Sequence, residues 1–196
     1  AFEICREPAR LGELLGKHVA GGELLPFRVV TPSPGDRFRT CVPLTTLRAA
    51  AGGWSEEQEG LFESLSQAEE WVTWEGAPVF SQGMFVAKVQ GASMEPAIPS
   101  GSYCLFRPAP AGSRQGRILL IRHSGVTDPT TGGEYTVKRY RSEKAVRDDG
   151  GWEHQRIVLE PLNPDFAPIV LEPEHEDEVR VVAEWVQVVG TGIEDH

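Results

Sequence analysis

Two side chains in this sequence, Ser93 and Lys138, are of types that can do chemistry together. Ser93 stands in GASMEPAIPSGS, between an apolar run and a Gly/Pro-rich turn. Lys138 stands in the middle of EYTVKRYR, whose β-branched and aromatic neighbours predict a strand. The chain has four lysines, Lys17, Lys88, Lys138 and Lys144, against 15 arginines. Burial of a lysine disfavours its charged form and lowers its pKa from about 10.4, by up to about 3–5 units in extreme cases. A neutral amine can take the proton of a serine hydroxyl, whereas an arginine, with a pKa above about 12, cannot. A Ser/Lys pair is therefore a nucleophile and base that need neither His nor Asp. The tight turn Gly91-Ala92-Ser93 can also aim backbone N–H groups at a developing oxyanion. Each residue has a plainer reading as well. A serine in a turn is commonly a turn residue, and a strand lysine commonly snorkels to water. Periodicity does not show that the two meet.

The elements around these residues are short. From Phe85 onward, seven β-branched and aromatic runs are punctuated by Gly, Pro, Asn and Asp: 85–90, 102–106, 116–123, 134–141, 155–161, 168–171 and 179–189. They predict a compact, mainly antiparallel β domain, a partly closed barrel or sandwich. Upstream, Leu11, Leu14, Leu15 and His18 have the spacing of an amphipathic helix over 8–19. Gly21-Gly22 ends it, and a short strand from Leu24 to Val30 follows. Ser55 and Gln58 have capping-box spacing ahead of a helix of about ten residues. Between these lies Ala49-Ala50-Ala51-Gly52-Gly53, a cluster of small residues that hinders close approach little. The expected organisation is an N-terminal arm or remnant of a preceding domain at 1–41, a cleavage segment and linker helix at 42–80, and the β domain at 81–196.

Composition narrows the function classes. The 196 residues carry 19 Lys+Arg and 29 Asp+Glu, a net charge of −10, with 40 % hydrophobic residues. Residues 1–142 hold 15 acidic and 15 basic side chains, and residues 143–196 hold 14 and 4. That balance argues against direct nucleic-acid binding, which needs clustered cations to neutralise phosphates. One short helix does not make a helix-turn-helix. No apolar run is long enough to span a bilayer, and no signal peptide is apparent. The odd, dispersed cysteines, Cys5, Cys41 and Cys104, read as reduced thiols of a cytoplasmic protein. No phosphate-binding glycine loop and no metal-ligand spacing occurs, so neither cofactor nor metal is expected. The acidic run Glu172 to Glu178 reads as a solvated loop. The five tryptophans read as core or interface anchors.

Three ordered motifs carry a family resemblance. They are Val89-Gln90-Gly91-Ala92-Ser93-Met94-Glu95-Pro96 with Ile98 and Gly101; Thr136-Val137-Lys138-Arg139; and Leu159-Glu160-Pro161-Leu162-Asn163-Pro164-Asp165-Phe166-Ala167-Pro168-Ile169-Val170. With them, the run from Val42 to Val189 resembles the peptidase domain of LexA, UmuD and the lambdoid phage repressors, the self-cleaving Ser/Lys peptidases. The resemblance implies Ser93 as nucleophile, Lys138 as general base and an oxyanion hole from the backbone N–H groups of Ser93 and Ala92. It also implies self-cleavage at a small dipeptide, for which Ala51–Gly52 is the best match, although the same cluster reads as a flexible hinge. The chain's own N-terminal segment would be the substrate, a homodimer the assembly, and a RecA filament a partner in a DNA-damage response. Residues 1–41 do not resemble the helix-turn-helix domain of the repressors, so the layout is closer to UmuD, or an effector part precedes Ala1. The alternative is a dimerisation and sensor module that no longer cleaves, belonging to a larger regulatory protein. A signal-peptidase relative is a third reading.

Overall fold

The computed structural model describes residues 18–20, 23–47, 59–109, 111–123, 135–146, 152–171, 179–191 and 193–194. The elements in chain order are β1 (His18–Ala20), β2 (Glu23–Leu25), β3 (Arg28–Val30), β4 (Val42–Thr45), α1 (Glu59–Ser66), β5 (Glu70–Thr73), β6 (Phe85–Val89), β7 (Ser102–Pro108), β8 (Ile118–His123), β9 (Tyr135–Val146), β10 (Trp152–Glu160), β11 (Ile169–Leu171), β12 (Val179–Thr191) and β13 (Ile193–Glu194). The protein is mainly β, as expected. All seven strands predicted after Phe85 are present. They form because β-branched and aromatic side chains suit a pleated, half-buried surface, and glycines and prolines end each run.

Two compact units divide the chain. The first comprises residues 1–89, 101–107 and 186–196. Within it the strand order is β7-β6-β4-β5-β3, with a separate small sheet β1-β2-β13. Its pairs are antiparallel except β4 with β6, which run parallel with Leu44 opposite Val86. Its core gathers Leu25, Phe27, Val42, Val72, Phe80, Met84, Val86, Tyr103 and Leu105. Phe27 meets Tyr103 edge-on at 4.9 Å, and Phe85 stacks on Phe106 at 5.3 Å. Trp71 is buried, and Trp74 packs against the cluster. Both are the apolar anchors that their type suggests.

The second unit comprises residues 90–100 and 108–185. Its strand order is β11-β10-β9-β8-β12, antiparallel at each pair whose register is known. The core here is mostly aliphatic: Leu119, Ile121, Ile157, Leu159, Leu171 and Val181, with Tyr140. Arg117 pairs with both carboxylate oxygens of Glu184, at 2.9 and 3.0 Å.

Some expectations change. The helix expected over 8–19 does not reach its last residues, because His18 and Val19 lie in β1, paired with Leu25 and Leu24. Ladder pairing outweighs the helical spacing there. Residues 8–17 lie outside the described residues. The strand expected from Leu24 to Val30 is two strands, separated by Pro26 and Phe27. Proline has no N–H to give a ladder. The linker helix forms as α1, with Leu65 fully buried. Ala51–Gly52, Cys5 and the acidic run 172–178 lie outside the described residues.

Candidate active site

The site is built inside the second unit by one turn, one strand and one connecting loop. The turn begins at Gly91, whose φ of +103° is a conformation that glycine reaches without Cβ strain. Gly91 N donates to Ser100 Oγ at 3.0 Å, and Ser100 N donates to Glu95 Oε1 at 3.2 Å. Ile98 N closes a helical-type turn on Met94 O at 3.0 Å. Met94 and Ile98 are buried, which anchors the turn on both sides of Glu95 to Ala97. Ser93 is held between these fixed points and is 9 % exposed.

Lys138 comes from β9, directly opposite Leu119 of β8. Side chains alternate along a strand, so Thr136, Lys138 and Tyr140 share one face. Opposite them on the neighbouring strands stand Ile121, Leu119 and Leu159, all fully buried. Lys138 is thus set into an aliphatic face and is 4 % exposed. Its Nζ lies 2.8 Å from Ser93 Oγ and 2.7 Å from Thr136 Oγ1. The two residues singled out from the sequence therefore meet, across 45 positions of chain. Two hydroxyls hold the amine, one from the turn and one from its own strand. Thr136 was not singled out in the sequence, though its place two residues before Lys138 puts it on the lysine's face of any strand.

The opposite face of β9 does different work. Arg139 pairs with Glu160 at 2.9 Å, and Arg141 pairs with the other oxygen of Glu160 at 3.0 Å. Arg139 and Glu160 are direct register partners between β9 and β10. Arg139 is half-buried and Arg141 exposed, so solvent screens these pairs and they contribute little beyond register, about 1 kcal/mol or less each.

The third motif follows β10 and reaches back to the turn. Leu162 N and Asn163 N donate to Ser93 O at 3.0 and 3.1 Å. Asn163 Nδ2 donates to Ala92 O at 3.0 Å. The carbonyls on both sides of the Ser93 Cα are therefore held from one loop. Among the described residues, no acceptor takes the N–H of Ala92 or Ser93. Also among the described residues, no cluster of His, Cys, Asp or Glu is arranged to hold a metal, and no helix is long and apolar enough to cross a membrane. Cys41 and Cys104 are buried and not in disulfides, and burial pushes the Cys41 thiol upward.

This arrangement can carry a proton from a hydroxyl to an amine at a site largely closed to water. Comparison with known proteins gives the chain its family. A 109-residue stretch is 32 % identical to a LexA repressor of Citrifermentans bemidjiense and 31 % identical to a LexA repressor of a Geobacter species. Each match covers 55 % of this chain and 44 % of the repressor, so the chain spans less than half the length of these relatives. The family model described as Peptidase S24-like matches residues 43–186, which include the turn, the lysine strand and the asparagine loop, and the chain belongs to that family.

Proposed function

We propose that this chain is a serine peptidase that cuts its own N-terminal segment with a Ser93/Lys138 dyad. The observation that carries this reading is the 2.8 Å contact between Lys138 Nζ and Ser93 Oγ, with both residues buried. Removal from water favours a neutral amine. With a neutral amine, the same contact has the Ser93 O–H donating to the Nζ lone pair.

The reaction then balances as follows. Ser93 Oγ bonds to the carbonyl carbon of Ala51, and its proton passes to Lys138 Nζ. The carbonyl electron pair moves to oxygen, and the N–H groups of Ser93 and Ala92 donate hydrogen bonds to that oxyanion. Collapse breaks the bond to the Gly52 nitrogen, and Lys138 gives its proton to that leaving amine. Water attacks the Ala51–Ser93 ester, Lys138 takes a water proton and returns it to Ser93 Oγ. Having substrate and nucleophile on one chain supplies a high effective concentration. Whether the segment is docked or swung away is then the natural gate. By family likeness, a RecA filament in the DNA-damage response favours docking, the chain dimerises and it works in the cytoplasm.

The test is incubation between pH 7 and 10. Fragments 1–51 and 52–196 are expected by mass spectrometry, faster at higher pH because Lys138 must lose a proton. Cleavage of Ser93→Ala at the parent rate sinks the dyad.

The limited coverage of the repressors favours one second reading, a dimerisation and sensor module of a larger regulatory protein. A parent chain that stays whole across this pH range and with RecA filaments supports the module instead.

A further inference from the structure

We propose that Asn163 is a positioning residue that aims the oxyanion donor of the nucleophile turn. The inference rests on the reading of Ser93 as nucleophile. A peptide unit is planar, and its C=O and N–H point in opposite directions. Ala92 C=O and Ser93 N–H belong to one such plane. Asn163 Nδ2 holds Ala92 O at 3.0 Å, so it sets the direction in which Ser93 N–H points. The Asn163 and Leu162 backbone N–H groups hold the next carbonyl, Ser93 O. Together they pin both peptide planes flanking the nucleophile, and hence the direction of its side chain.

The orientation of the Asn163 amide is itself determined. Its Oδ1 accepts from Asp165 N at 3.0 Å, which leaves Nδ2 as the group facing Ala92 O. Donation into a carbonyl also polarises its peptide, which strengthens the N–H at the other end. Glu95 N shares Ala92 O at 3.2 Å, but it belongs to the same turn and moves with it. Asn163 is the side chain that ties this plane to a separate loop.

Asn163→Asp separates the two roles of the side chain. It keeps an oxygen for Asp165 N and replaces the donor facing Ala92 O with a second acceptor. The expected result is a self-cleavage rate about 10- to 100-fold lower on the high-pH plateau, less than the loss of a direct oxyanion donor. Asp also adds a negative charge that favours the charged amine, so the midpoint of the pH–rate profile, which reports the base, is read in the uncharged Asn163→Ala, where it stays at the parent value, with rates measured below each variant's unfolding transition.

A second readout does not depend on self-cleavage. Phenylboronic acid adds to a serine oxygen to form a tetrahedral boronate, while the base takes the serine proton. Its affinity, followed by boron NMR, reads the oxyanion site as a transition-state mimic does. Asn163→Asp weakens the adduct by a factor similar to the rate loss. Parent-like cleavage and boronate affinity in Asn163→Asp overturn the inference, as does a shifted pH midpoint in Asn163→Ala. In both cases Ser93→Ala remains inactive. If instead Ser93→Ala cleaves like the parent, or the parent neither cleaves nor forms the adduct, the nucleophile reading itself fails and takes the inference with it.

Discussion

Lys88 and Lys138 both sit inside strands with valine beside them, and the two strands treat them in opposite ways. Lys88 of β6 lies directly opposite Tyr103 of β7, with its Nζ 5.4 Å from the ring centroid. The face of an aromatic ring attracts a cation, so the ring is a place for a charged ammonium to rest. Lys138 of β9 lies opposite Leu119, with Nζ between two hydroxyls and almost no exposure. Burial against aliphatic walls takes away the water that would hydrate its charge, which is what the proposed base requires. The difference follows the two cores. The first unit is rich in aromatic rings, whereas the second is mostly aliphatic. A lysine becomes a candidate base through its cross-strand neighbours rather than through its strand.

The sharpest way to break that contrast is to exchange both lysines. Lys138→Ala and Lys138→Arg should each slow self-cleavage at least about 10³-fold, the scale expected when one member of a catalytic unit is lost. Arg fails because it keeps its proton. Lys88→Ala and Lys88→Arg should cleave like the parent, with first-order rates measured by mass spectrometry. Equal losses at the two positions would remove the distinction.

The next effect tests how the amine is held. Thr136→Val should slow cleavage about tenfold, the size of one buried hydrogen bond, and Thr136→Ser should restore the rate. A valine variant with the parent rate would leave Ser93 as the sole hydroxyl of consequence.

Tyr103→Leu probes the other side of the comparison. It removes the ring beneath Lys88 and the edge contact with Phe27. Unfolding free energy should fall by about 1–2 kcal/mol in denaturant titration, with cleavage below the transition unchanged. A change in cleavage rate without loss of stability would tie the aromatic core to the chemistry.

The smallest effect concerns Cys41, whose thiol burial pushes up. The folded state then keeps its proton to higher pH than the unfolded chain does. This contribution to stability is complete below the ordinary thiol range and is lost as pH rises through and above it. Stability measured from pH 7 to 10 should therefore dip at the alkaline end, and Cys41→Ala should flatten that dip. An unchanged slope would assign the dip to other groups.

Much of this was legible beforehand, for reasons that can be named. The runs around Phe85, Ser102, Ile118, Tyr135, Ile157, Ile169 and Val179 read as strands because β-branched residues alternate between turn formers. Glu70–Thr73 did not stand out, because four residues after a helix carry no period of their own. The β1 strand was hidden beneath a helical spacing, and its pairing depends on Leu24 and Leu25. The parallel pairing of β4 with β6 is set by long-range topology. Thr136 could have been found from the period-two rule once the strand was assigned. Asn163 could not, because its partner is a main-chain oxygen 71 residues away.

By itself, the sequence determined the chemical inventory: a serine in a glycine turn, lysines in apolar strands, a mainly β chain, and motifs in an order that resembles one peptidase family. These are properties of residue type and local spacing, which the chain carries before it folds. Tertiary structure alone decided that Nζ and Oγ stand 2.8 Å apart, that Thr136 shares the amine, and that Asn163 holds the carbonyl before Ser93. Those contacts depend on strand register and loop closure between distant segments. A shift of one residue in β9 would turn Lys138 to the opposite face and leave the same motifs with no site.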